Sequence, residues 1–282
     1  MRLTAGNHGY GKTEIDFIAV SRTQGAPTLT EVSASVEFSG GFAQAYATGD
    51  NAPILPTKTM VNTVLALAPD YVDRAPEEFA AALADHFVAA CPAVGTVTVR
   101  LAGQPWTQLA PGGVADHSGF TGGTVERWTV QAESSRAHRC HLTGGVEGLR
   151  LAKTTGSQFT GFLHGPFTNN VDVHDRVMGL LLDLQWHLAG NADDPKGVRG
   201  RVREVLDAEF SAHKSLSSQH TLHVLGSAVL AACPEVERVE LNCQARDHIL
   251  ADLAPFGVAN PDRIYLTPRN PYSFASLALA RE

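Results

Sequence analysis

Five groups of residues in this chain carry side chains suited to chemistry and sit where glycine or proline fixes the backbone around them. Lys12 follows Tyr10-Gly11, where the glycine lets the chain turn and the amine projects from a fixed base. Thr57 follows Pro53-Ile54-Leu55-Pro56 and offers a hydroxyl at the start of an apolar, helix-like run. Phe159 lies in Thr154-Thr155-Gly156-Ser157-Gln158-Phe159-Thr160-Gly161-Phe162, flanked by small residues that leave one ring face open. Asp175-Arg176 and Ser218-Gln219 add a carboxylate, a guanidinium and an amide. Taken singly, each has an ordinary reading: a solvated lysine, a helix N-cap, surface polar residues.

The elements that must position these groups are announced by an internal repeat. Ala89-Ala90-Cys91-Pro92-Ala93-Val94 returns as Ala231-Ala232-Cys233-Pro234-Glu235-Val236, 142 positions later in a chain of 282 residues. In both copies an amphipathic run leads into the motif (Pro76 to Val88, Gln219 to Leu230). An alternating strand leaves it (Thr96 to Val99, Arg238 to Leu241), so the unit is helix, proline turn, strand. The order of the first half reads as strands Glu14 to Val20 and Thr28 to Phe38 around a turn at Gln24-Gly25-Ala26, with Phe42 to Tyr46 continuing the sheet. Thr57 opens a helix ending near Pro69, and Pro76-Glu77-Glu78 begins a second. The second half repeats the order: strands Arg136 to Leu142 and Leu149 to Thr154, helices Val198 to Phe210 and Gln219 to Leu230, strands Val236 to Asn242 and Ser273 to Ala280. Gln104 to Gly123 and Gly190 to Gly200 read as loops.

Composition excludes several classes. With 22 Lys+Arg against 29 Asp+Glu the chain is acidic by 7 charges, which argues against nucleic acid or an anionic membrane as partner. The 44% hydrophobic content supports an ordinary core, and no run approaches the ~18 apolar residues of a membrane span. Met1 to Lys12 has no apolar signal region, and Ala280-Arg281-Glu282 is no peroxisomal address, so a cytoplasmic protein is expected. The 4 cysteines, Cys91, Cys140, Cys233 and Cys243, fall at no zinc spacing and are expected to be reduced. His138 and His141 flank Cys140 and raise a copper or zinc site, but on a strand they would face opposite sides.

Together, and in this order, the chemical groups resemble the urate oxidase (uricase) family. The resemblance runs from Tyr10 to the C-terminus through Gly49-Asp50-Asn51, Thr57 and Asn62-Thr63-Val64. It continues through Gly145-Val146-Glu147-Gly148-Leu149, Lys153-Thr154-Thr155-Gly156-Ser157, Asp175-Arg176, Gln219 with Thr221-Leu222, and the tail Asp252-Leu253-Ala254-Pro255-Phe256-Gly257 with Asn260-Pro261. It implies an α+β fold of tandem tunnelling-fold (T-fold) units, each an antiparallel sheet backed by two helices, here 1–135 and 136–282. It further implies a homotetramer with active sites between subunits, a purine-type substrate and O2, and neither metal nor cofactor. Arg176 then grips one edge of a purine-type anion with two parallel N–H bonds, and Gln219, with Ser218 beside it, reads the opposite edge. Phe159 stacks under the heterocycle. Lys12 and a neighbouring subunit's Thr57 form a base dyad, in which a neutral lysine takes the threonine proton.

The chain departs from this pattern in one place that matters. The family usually carries Asn-Lys-His before the last Phe-Gly, and gapless alignment sets Ala245-Arg246-Asp247 there. The amide that would pin O2 or water is gone, and Asp247 would hold Lys12 as an ion pair and make it a poorer base. His248 replaces the missing histidine only if the register shifts by one. Lys58 stands where the family commonly has Asp, and His164-Gly165-Pro166 replaces a charged sequence. Two readings remain: an oxidase of urate or a close 8-oxopurine with an altered proton relay, or a paralogue that acts on or merely binds another purine- or pterin-like molecule.

Overall fold

The computed structural model describes residues 8–22, 27–110, 119–122, 125–138, 140–190, 194–246, 248–268 and 270–282. The chain divides into two compact units, Met1–Gly145 with His187–Lys196, and Val146–Trp186 with Gly197–Glu282.

The first unit contains β1 (Gly9–Ser21), β2 (Thr28–Gly40), α1 (Ala43–Thr48), α2 (Thr57–Leu67), α3 (Pro76–Ala90), β3 (Val94–Pro105), β4 (Thr107–Gln108), β5 (Phe120–Thr121) and β6 (Arg127–Ser135). Its main sheet has the order β1-β2-β3-β6, antiparallel at each pairing, while β4 and β5 pair with each other. Strand β2 shows why: Val32, Ala34, Val36 and Phe38 alternate into the core while Glu31 and Glu37 stay outside, the period-2 pattern of a half-buried strand. Helix α3 buries Phe79, Ala80, Leu83, Ala84 and Phe87 along one stripe and packs on β3 and β6. Pro76 sits at its first position, and Glu78 accepts a hydrogen bond from Ala75 N at 3.2 Å.

The second unit uses β7 (His141–Lys153), β8 (Met178–Leu188), α4 (Pro195–Ala212), α5 (Ser218–Ala232), β9 (Val236–Arg246), β10 (Ile249–Leu250), β11 (Tyr265–Leu266) and β12 (Ser273–Ala280). Its strand order is β7-β8-β9-β12, with β9 and β12 antiparallel and β10 paired with β11. Leu180, Leu182, Leu184, Trp186 and Leu188 alternate into the core from β8. Helix α5 packs on β9 and β12 at Gly226, where an added Cβ would meet the methyls of Leu241 and Leu279 at 3.0 Å. The first unit thus sets α3 on β3 and β6, and the second sets α5 on β9 and β12.

The structure corrects several element boundaries. Phe42 to Tyr46 does not extend the sheet: a Cβ on Gly40 would stand 2.3 Å from Ala93 O, so the chain passes there only as glycine and turns into α1, with Phe42 fully buried. Thr57 is the first helical residue of α2 rather than its cap, which is Pro56. In place of the strands expected at 136–142 and 149–154 there is a single strand, β7, that begins at His141 and runs through Gly144, Gly145 and Gly148, with Gly148 N held by Asp183 Oδ1 at 2.8 Å. Strands β6 and β8 are not among the strands expected from the sequence. The loop expected at 190–200 is helical from Pro195, and 104–123 includes β4 and β5. The turn at 24–26 lies outside the described residues, although Ser21 pairs with Thr28 as a hairpin requires. Cys91, Cys233 and Cys243 are buried free thiols, and burial pushes all three up, away from the thiolate form. Among the described residues no helix is long and apolar enough to cross a membrane.

Candidate functional site

The sequence-predicted residues fall into two groups, one in each unit. Lys12 lies on β1 and Thr57 opens α2, both exposed. They are tied through Tyr10, two residues before Lys12. Its ring meets the rings of Phe38 and Phe42 edge-on at 5.6 and 4.9 Å. Its hydroxyl accepts from Leu55 N at 2.8 Å and donates to Leu55 O at 3.2 Å, two residues before Thr57. Burial pushes the Tyr10 phenol up, which keeps the proton needed for the second bond. Tyr46 donates to Gly9 O at 2.6 Å and fixes the start of the same strand.

The second unit laces three segments together around Phe159 and Arg176. Phe159 and Val173 exchange backbone hydrogen bonds at 2.7 and 2.9 Å, Arg176 N donates to Ser157 O at 2.8 Å, and Gln158 N donates to Ser215 O at 2.8 Å. The Asp175 carboxylate closes the turn: it accepts from Thr155 Oγ1 at 2.5 Å, Gly156 N at 2.7 Å and Ser157 N at 3.3 Å. The Thr155 hydroxyl, followed by these backbone N–H groups, holds the Asp175 carboxyl below the usual carboxylate range. The Arg176 guanidinium carbon lies 5.5 Å from the Phe159 ring centroid, and its Nε is buried without a hydrogen-bond partner. A charged donor beside an aromatic ring is chemically suited to an anion with a flat face.

Ser218 and Gln219 occupy the first turn of α5, where the helix dipole favours negative charge. Ser217 caps the helix by accepting from His220 N at 3.0 Å. Beneath the cap, buried Thr221 places Oγ1 2.8 Å from Ser215 Oγ, 3.1 Å from Ser217 O and 3.2 Å from His213 Nε2. Since Ser215 also bridges to Gly156 and Gln158, this network ties the Gln219 turn to the Phe159 turn. Sequence reasoning gave no role to Ser215, His213 or Phe162. Phe162 lies parallel to Phe159 at 5.0 Å and 8°, with His164 next at 4.9 Å, so the Phe159 ring is packed by Phe162 as well as by the Arg176 guanidinium. The spacing Phe-x-x-Phe was visible, but not that the turn at Gly161 folds one ring onto the other.

The departing segment is placed by the β9 register. Ala245 lies opposite Ser273 and follows the alternation of buried Leu241 and Cys243. Arg246 and His248 take the other face, where an added Cβ on Gly179 would stand 2.4 Å from His248 Cε1 and 3.3 Å from Arg246 Cβ. His248 Nδ1 donates to Arg246 O at 2.9 Å. The register shift that would put His248 on the Ala245 face is therefore not adopted; Gly179 makes room for the ring on the opposite side. Asp247 lies outside the described residues. His138 is not on a strand, and His141 pairs instead with His187, Nε2 to Nδ1 at 3.4 Å. Among the described residues no group of three or more His, Cys, Asp or Glu is arranged to hold a metal.

Comparison with known proteins places this geometry among relatives. Residues 17–131 and 142–275 match the family described as Uricase. The uricase of Arthrobacter globiformis is 29% identical over all of this chain and 91% of its own length, and that of Danio rerio is 30% identical over 93% of this chain and 90% of its own. The crystal structure of the Arthrobacter globiformis protein superposes with a TM-score of 0.91, covering 100% of this chain and 96% of that one at 28% identity. A urate oxidase from Bacillus sp. TB-90 shares the fold at 18% identity, with a TM-score of 0.82 over 98% of this chain and 100% of that one.

Proposed function

This chain belongs to the uricase family, and we propose that it oxidises urate or a closely related 8-oxopurine with O2, releasing H2O2. The overall change balances as urate, O2 and water giving 5-hydroxyisourate and hydrogen peroxide. The observation that carries this reading is the buried, unpartnered Arg176 Nε beside the Phe159 ring. Arg176 supplies a fork of two N–H donors to one edge of the anion, Gln219 and Ser218 at the start of α5 meet the other edge, and Phe159 stacks under the heterocycle. Thr57, relieved of its proton by Lys12, removes a proton from the substrate. The electron-rich anion passes two electrons to O2, and water completes the product, so the substrate itself does the redox work. We read the repeat as two T-fold units, 1–135 and 136–282, and the working form as a cytoplasmic homotetramer with active sites between subunits.

The Ala245 methyl offers no hydrogen bond where an amide would hold O2 or water, and His248 faces away. This favours a slowed relay, and it also supports a second reading: a paralogue that keeps the pincer for another heterocycle. Anaerobic titration with urate and xanthine, followed by admission of O2, separates the two. Oxygen-dependent loss of urate with peroxide release supports the oxidase; binding without turnover supports the paralogue; no binding refutes both.

A further inference from the structure

Strand β1 holds one residue too many for its partner. Lys12 lies opposite Val36 and Ile15 opposite Ala34, so Thr13 and Glu14 together face the single residue Ser35. This β-bulge closes on Glu14, whose φ of 55° is left-handed. A glutamate is rarely found there and persists only where its surroundings dictate it; bulges beside active sites re-aim side chains.

The register shows what is re-aimed. Directly opposed residues of an antiparallel pair share a face. Val36 and Phe38 are 1% and 0% exposed, so Lys12 and Tyr10, opposite them, stand on the core face together with Ile15. Helix α2, which packs against β1 and carries Thr57 at its first position, belongs to the layer on that face. If the pairing of Ile15 with Ala34 continued without the bulge, Lys12 would fall opposite Glu37 on the outer face, beside the ion pair of Glu37 with Arg100 at 3.2 Å. Tyr10 would lose Phe38 and its hold on Leu55. Gly11 belongs to the same device: a Cβ there would stand 2.2 Å from Val36 O, so β1 is pressed onto β2 just before the extra residue.

We infer that the Thr13–Glu14 bulge is a positioning device for the Lys12 amine, with Glu14 as the positioning residue whose left-handed backbone keeps the lysine on the Thr57 face. The inference rests on the reading of Lys12 as a base. Two variants at one position separate backbone from side chain. Glu14→Gly accepts a left-handed φ and should turn over urate like the parent. Glu14→Val, with a β-branched side chain that avoids positive φ, should relax to the straight register and lose about 10²-fold or more in kcat, the scale of a lost general base. Its anaerobic urate affinity, set by the pincer in the other unit, should not change. Deleting Thr13 from the Glu14→Val chain leaves Lys12 opposite Val36 in a regular ladder, and should restore kcat.

A readout independent of turnover maps the register directly. With Lys12→Cys, a disulfide should form to Val36→Cys in the parent and to Glu37→Cys in the Glu14→Val background. Folded Glu14→Val with parental kcat, a lost kcat that the deletion fails to rescue, or a disulfide that stays at Val36→Cys in that background would each overturn the inference. Failure of the underlying reading looks different: Lys12→Met would then turn over normally while the disulfide map behaved as expected.

Discussion

The sharpest quantitative expectation concerns Arg176. Its backbone N–H, not its side chain, bonds Ser157 O at 2.8 Å, so truncating the side chain leaves the turn that carries Phe159 in place. The losses to the free protein are one guanidinium–ring contact, worth about 0.5–1 kcal/mol at a partly open site, against the removal of a buried Nε that has no partner. Stability should therefore change by no more than about 1 kcal/mol. Binding should change far more. A hydrogen bond to a charged group contributes about 1.5–3 kcal/mol, and the fork supplies two of them to the purine edge. Arg176→Ala should thus weaken urate binding by ~10² to 10⁴-fold, while Arg176→Lys, which keeps the charge but reaches one acceptor, should lose roughly 10 to 100-fold. Anaerobic titration followed by urate difference absorbance measures Kd, and thermal unfolding confirms that each variant is folded. A folded Arg176→Ala protein with parental affinity would refute the pincer.

Four further outcomes follow from the same geometry. Asp175→Asn should lower the Tm at neutral pH; because the Asp175 carboxyl is held below its unfolded value, its stabilisation is complete above about pH 4 and disappears as pH falls through the lower folded value, so parent and variant melting curves should converge in acid. Thr221→Val keeps the shape but strips the hydroxyl from buried Ser215 and from His213, which should cost about 1–3 kcal/mol in denaturant unfolding and weaken urate binding through the Gln219 turn. Arg281→Ala removes bonds to Cys233 O at 3.0 Å and Val236 O at 2.8 Å and should cost about 2 kcal/mol, seen as a lower midpoint in urea with the slope unchanged. Ala245→Asn with Asp247→His should raise kcat for urate; a double variant that binds urate but gains no turnover would show that the pocket serves another ligand.

What the sequence disclosed was governed by locality. The helices at 57–67, 76–90 and 218–232 announce themselves because proline, serine and acidic residues mark their starts and apolar residues recur on one face. The glycines of strand β7 look like breaks in the sequence; only the Asp183 bond to Gly148 N, contributed from 35 residues away, shows how a glycine-rich strand stays in the sheet. Strand β8 is hard to see in the sequence because Leu180-Leu181-Leu182 hides its alternation, which the burial of every second residue from 180 to 188 reveals. The residues proposed for the pincer are legible as types, through resemblance. The supports beneath them were not, since Ser215, Thr221 and His213 have no chemistry of their own until the fold sets Ser215 against Gly156. The Glu14 bulge likewise has no local signature: nothing in Lys12-Thr13-Glu14-Ile15 says that β2 will offer one residue against two.

The repeat goes deeper than the motif that betrayed it. Cys91 and Cys233 each end a helix with nearly the same backbone, φ −118° and −119°, and each donates its N–H back into the last turn, to Phe87 O at 3.1 Å and to Val229 O at 3.0 Å. Each carbonyl then accepts from the valine that opens the next strand, Val94 or Val236, at 3.0 Å. An arginine just beyond the last strand of each unit closes the corner. Arg136, after β6, donates to Val88 O and Cys91 O at 3.1 Å, and Arg281, after β12, donates to Leu230 O and Cys233 O. These cations sit on carbonyls that a helix end leaves open, where the dipole favours positive charge. Two arginines so far apart in sequence would not be matched by eye, yet they fill one role in one corner. One corner thus holds helix to sheet in both units, while the polar residues around Phe159 and Arg176 belong to the second alone.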